Sequence, residues 1–112
     1  MKEDLFETIN RKNDKFWIVK DALNVVGYQG FPRAVGYWLR GIGYGADGGG
    51  VDFPEDDDIF EGVRCYSWEN NEVIVSEQVF FEHLKAACQR YIELYPDRRD
   101  ELKQIISQST LV

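Results

Sequence analysis

The stretch FEGVRCYSWENNEVIVSEQVFFEHLKAACQRYIELYP, residues 60–96, decides the fold. Phe60 to Trp68 and Glu72 to Val75 are rich in β-branched and aromatic residues, and both read as strands. Asn70 and Asn71 lie between them. Asparagine tolerates the left-handed backbone of a tight turn, so the pair predicts a β-hairpin. Ser76 then offers a helix cap, and Glu77 favours the positive end of the helix that follows. Phe80, Leu84, Ala87/Cys88, Tyr91 and Tyr95 recur at helical spacing over five turns, until Pro96 closes the element.

Working outward, Asp97 is placed to cap a last helix with Leu102, Ile105 and Ile106 turned inward. Upstream, Pro54 to Asp58 reads as a solvated loop, Val51-Asp52-Phe53 as a short strand, and Asp47-Gly48-Gly49-Gly50 as a turn. Residues 27–50 hold nine of the ten glycines, interleaved with Tyr28, Phe31, Tyr37, Trp38 and Tyr44. Val35, Trp38, Leu39 and Ile42 fit one helical face with Pro32 in its first turn, whereas Gly36, Gly41 and Gly43 weaken a helix and suit a bent strand. A short helix followed by a strand is the preferred of the two readings. Before it, Asn13-Asp14 caps a stripe of Phe16, Val19, Leu23 and Val26 that Gly27 can end, and Asp4 with Leu5, Phe6 and Ile9 predicts a further helix over 4–11. The expected class is α+β: N-terminal helices, a small antiparallel sheet with a hairpin, and two C-terminal helices, in a single domain over 1–112.

The charge is as uneven as the glycine content. Of 20 acids, seven lie between Asp47 and Glu61 (Asp47, Asp52, Glu55, Asp56, Asp57, Asp58 and Glu61), with no Lys or Arg among them. The remaining 13 acids meet 13 basic residues, so the whole net charge of −7 resides in this window. Clustered charge of one sign focuses a field and attracts a partner of the other. Phosphate recognition requires Lys and Arg, so nucleic acid is not the expected ligand, and the same ground argues against anionic membranes. Phe53, Phe60 and Tyr44 are threaded through the window, and acid with aromatic anchors is the composition of a protein-binding patch.

Other classes find less support. The 14% of aromatic residues excludes a disordered acidic tail. No apolar run approaches the roughly 20 residues that span a bilayer, and Met1-Lys2-Glu3-Asp4 has no signal-like apolar core, so a cytoplasmic protein is expected. Cys65 and Cys88 lack metal or redox spacing and read as two buried thiols. Gly41-Ile42-Gly43-Tyr44-Gly45-Ala46 matches a dinucleotide fingerprint as a string, but a triple glycine and acids follow where a phosphate-binding helix should start. Asp56-Asp57-Asp58 supplies oxygen ligands without the spacing of a calcium loop. His83, the lone histidine, adjoins the Phe80/Leu84 stripe, where a structural role is expected. No catalytic residue, metal or cofactor is assigned.

From about Gly45 onward the chain resembles the immunity proteins of bacterial contact-dependent growth inhibition (CDI) systems, the CdiI proteins. The residues concerned are Phe60-Glu61-Gly62-Val63, Glu72-Val73-Ile74-Val75-Ser76-Glu77, Phe80-Phe81, Leu84, Tyr91-Ile92 and Pro96-Asp97. The resemblance implies a small cytosolic protein that binds and blocks a toxin, often a ribonuclease, and protects the cell that makes both. Joined to the charge, it gives a definite expectation: a non-enzymatic protein whose surface at Asp47, Asp52, Glu55, Asp56, Asp57, Asp58 and Glu61, with Phe53, Phe60 and Tyr44, covers the basic cleft of a nuclease toxin. The alternatives are a small metal-dependent hydrolase using the same carboxylates and an acidic regulatory adaptor.

Overall fold

The computed structural model describes residues 4–7, 9–27 and 30–108. Its elements run α1 (Trp17–Gly27), α2 (Phe31–Leu39), β1 (Tyr44–Ala46), β2 (Gly49–Asp52), β3 (Val63–Ser67), β4 (Asn71–Val75), α3 (Glu77–Leu94) and α4 (Arg99–Gln108). The class is α+β. The four strands form one antiparallel sheet in chain order, β1-β2-β3-β4.

α1 carries the predicted stripe, with Val19, Leu23 and Val26 fully buried. Asp14 starts it: one carboxylate oxygen accepts from the Phe16 amide at 2.9 Å and the other pairs with Lys20. The Lys20 hydrogen bond is the main reason the Asp14 carboxyl sits below its ordinary pKa. α1 packs against β2 and β3 on one side and against α2 and α3 on the other, so it forms the centre of the core. Alternation along β3 follows: Val63, Cys65 and Ser67 point in, while Arg64 and Tyr66 point out.

The expected helix over 4–11 is absent among the described residues, which are bends, turn and coil. The cause lies in α1. Asn24 accepts from the Phe6 amide at 2.8 Å and donates to the Phe6 carbonyl at 3.0 Å, which satisfies the backbone a helix would have used. Leu5 is thereby drawn into the core against Gly27, where an added Cβ would lie 2.9 Å from Leu5 Cδ1.

In the glycine-rich stretch the helix-then-strand reading holds. Gly30, at φ +128°, precedes α2, and Phe31, Ala34, Val35 and Trp38 are fully buried. Only Asp47 and Gly48 form the turn between β1 and β2; Gly49 and Gly50 belong to β2, and Phe53 lies outside it. Those glycines make room for aromatic rings, because a Cβ at Gly45 or Gly50 would strike the Tyr66 hydroxyl and one at Gly48 the Trp68 ring.

Three further boundaries differ from expectation. Pairing of β3 starts only at Val63, after Gly62, and the β3–β4 turn centres on Glu69 and Asn70, at φ 65° and 64°, while Asn71 already pairs with Ser67. A 3-10 turn over Pro96–Arg98 delays α4 to Arg99, so Asp97 does not cap it. In α4, Leu102 is fully buried and Ile105 meets Gly36, but Ile106, one position further round the helix, stays 37% exposed.

Candidate functional site

The antiparallel register sorts the seven acids. β2 pairs with β3 through Gly50↔Tyr66, Val51↔Cys65 and Asp52↔Arg64. Asp52 thus lies at the Val63 end of the sheet, whereas Asp47 sits in the turn at the opposite end, beside the β3–β4 turn. Four residues separate them, and β2 alone spans about 10 Å from Gly49 to Asp52. Asp52, Glu55, Asp56, Asp57, Asp58 and Glu61 are brought to one end; Asp47 is not among them.

Between β2 and β3 the chain makes a tight loop. Glu55 and Asp58 exchange both backbone hydrogen bonds at 3.0 Å, a two-residue turn with Asp56 and Asp57 exposed at its tip. Arg64 closes the base of this loop. Its Nη2 donates to Asp58 at 2.5 Å and to Asp52 at 3.1 Å, and its guanidinium carbon lies 4.7 Å from the Phe60 ring centroid. Asp58, followed by Asp52, holds the guanidinium above its ordinary pKa. The window contains no base, yet the first base beyond it returns across the sheet and neutralises part of its charge. Among the described residues, no ion pair engages Glu55, Asp56, Asp57 or Glu61.

The three aromatics separate. Phe53 is core, 7% exposed and edge-on to Phe80 at 5.9 Å. Phe60 is half-buried beneath Arg64. Tyr44 stacks on Tyr37 of α2 at 5.4 Å, opposite the buried Val51 in the register. The apolar side chain that does project beside the acids is Ile59, 86% exposed. Its signal in the sequence is a single isoleucine after four acids, with no periodicity to mark it. Across the outer face of the sheet Arg64 is flanked by Ile74 of β4, 46% exposed, and Tyr66 by Glu72. A depression of about 330 Å³ lies here, with Asp52, Arg64, Tyr66 and Glu72 in its lining.

The residue types that suggested chemistry are otherwise employed. His83 Nδ1 donates to the Val79 carbonyl at 2.9 Å and its ring packs on Phe16 at 5.3 Å. Cys65 and Cys88 are unpaired, and burial raises each thiol to about pKa 12. Gly41 to Ala46 runs from α2 into β1, the reverse of the strand-to-helix passage that cradles a pyrophosphate. Among the described residues, no three of His, Cys, Asp and Glu converge as metal ligands, and no helix is long and apolar enough to cross a membrane.

A family model described as CDI immunity protein matches residues 15–106, from the cap of α1 to the last turns of α4. The chain belongs to that family. As a CDI immunity protein it binds and neutralises a cognate CDI toxin. No curated protein matches it. The matched span includes the whole sheet, the 53–60 loop, α3, and α4 as far as Ile106.

Proposed function

We propose that this immunity protein neutralises a basic nuclease toxin in the cytoplasm, without catalysis of its own, by laying the Glu55–Asp58 turn and its neighbour Ile59 over the toxin's substrate cleft. The observation that carries the reading is the pairing of an unneutralised acidic tip, Asp56 and Asp57, with an isoleucine left 86% exposed beside it. A nuclease cleft is positively charged because its substrate is a polyanion. Carboxylates entering that cleft occupy phosphate positions, and Ile59 supplies an apolar contact that excludes water at the centre. Glu61 extends the acidic rim. Asp52 and Asp58 act indirectly, since Arg64 uses them to hold the loop. Phe60 supports the same latch from below, while Phe53 and Tyr44 shape the scaffold. Asp47 borders the far end of the surface.

Close charge pairs at such interfaces couple by roughly 1.5–7 kcal/mol, and steering raises association toward about 10⁸ M⁻¹s⁻¹ at low salt. The test is co-expression with a candidate nuclease toxin encoded beside the immunity gene. The wild-type chain should restore growth, Asp56→Asn/Asp57→Asn should protect less, and Ile59→Asp should protect least. Full protection by all three would remove this surface from the interface.

A further inference from the structure

A second surface, formed by α2, α3 and α4, has the opposite character to the acidic turn. Phe81, Leu84, Lys85, Cys88, Gln89 and Ile92 of α3 line one wall of an open trough. They recur at i, i+3, i+4, i+7, i+8 and i+11, a continuous stripe about 16 Å long. Val35 and Leu39 of α2 contribute to its lining, and α4 provides Lys103 and Ile106. The trough measures about 370 Å³ and is almost wholly apolar apart from Gln89 and its two lysines. It exists because α4 closes on α2, where Gly36 lets Ile105 approach to 3.3 Å of a would-be Cβ; Ile106 is thereby left at the edge.

Its charge is the informative part. In a chain of net charge −7, two lysines and no acid line the trough among the described residues. One lysine stands on each wall, and among the described residues neither joins an ion pair. An apolar floor between two cationic lips matches an apolar stripe bordered on both sides by carboxylates. A fatty acid offers one carboxylate at one end; an amphipathic helix offers them along both flanks, and a three-turn stripe accepts a helix of about three turns.

We propose that the trough between α3 and α4 docks an amphipathic helix of a partner protein, apolar on one face and flanked by Asp or Glu. This goes beyond toxin neutralisation by the acidic turn and does not rest on it.

The test uses the intact chain and two synthetic 14-residue helical peptides. Both carry Leu at i, i+3, i+4, i+7 and i+11; one is flanked by Glu and the other by Lys. Calorimetry gives affinities, and amide shift changes locate the site. The Glu-flanked peptide should bind, with shifts at Leu39, Phe81, Ile92 and Ile106, and the Lys-flanked peptide should bind at least about tenfold more weakly. Lys85→Glu/Lys103→Glu should invert that preference, and Lys85→Gln/Lys103→Gln should abolish it. Both lysines are exposed, so folding should persist and is verified by the thermal midpoint. Equal binding of the two peptides, shifts centred elsewhere, an unchanged preference in the charge variants, or saturation by dodecanoate with no binding of the Glu-flanked peptide would each overturn the proposal.

Discussion

The guanidinium of Arg64 donates to the Asp58 carboxylate at 2.5 Å, and this contact joins a strand of the sheet to the acidic turn before it. The same guanidinium reaches Asp52 on the adjacent strand and covers Phe60. One cation therefore anchors three points of the loop over 52–60. Arg64→Met should release it. The partners are 38% and 47% exposed, so solvent screening keeps the stability loss to about 1 kcal/mol. The larger effect is on order: amide hydrogen exchange at Glu55 and Asp58, which bond each other, should accelerate, while β3 and β4 stay protected. Arg64→Lys keeps the charge but loses the planar fork, and should recover only part of that protection.

Glu69 occupies the left-handed region at φ 65°, which costs a residue with a Cβ about 1–2 kcal/mol. Glu69→Gly removes that cost and should raise the midpoint of thermal unfolding. Gly62 presents the opposite case. It has φ +102°, and a Cβ there would collide with the Val75 carbonyl oxygen. Gly62→Ala should destabilise the fold by about 1–3 kcal/mol, measured by urea unfolding.

Those two positions also show what a sequence conveys and what it does not. The long stripe of α3 and its Ser76 cap were legible because helix periodicity and capping are local; the Ser76 hydroxyl accepts from Val79 at 3.1 Å as its type implies. The hairpin was legible too, but its turn centre was not, since Glu69 adopts a conformation its side chain disfavours, held by the flanking strand pairing and by the Asn71 side-chain amide donating to the Trp68 carbonyl at 2.7 Å. The N-terminal helix failed because Asn24, 18 residues away, captures the Phe6 backbone. The acidic window was visible as composition. Its division between the two ends of the sheet and its partial neutralisation by Arg64 depend on register, which a charge count does not contain.

The two thiols predict an alkaline limit. Burial raises Cys65 and Cys88 to about pKa 12, against an ordinary value of 9.0. Above pH 9 the unfolded chain releases both thiol protons while the folded chain retains them. Unfolding is thus favoured progressively as pH rises from 9 to 12, and the stability contributed by the protonated thiols is complete only below that range. Urea midpoints should fall across this window, and Cys65→Ala/Cys88→Ala should show a shallower slope. Both thiols should resist alkylation at pH 8 until the chain is unfolded.

Ser76 tests the helix that supports both surfaces. Ser76→Ala removes the acceptor for the Val79 amide and should cost about 1 kcal/mol, while Ser76→Asp should restore it. Thermal unfolding of the three chains gives the comparison directly.

The most direct test of the central claim is the rate of association with the cognate toxin, followed by stopped-flow fluorescence at low and at 0.5 M salt. If the Glu55–Asp58 turn docks in a basic cleft, the wild-type rate should fall about tenfold or more with added salt. Asp56→Asn/Asp57→Asn should then be slower at low salt and nearly insensitive to it. An association rate and salt dependence unchanged by those two substitutions would contradict the account.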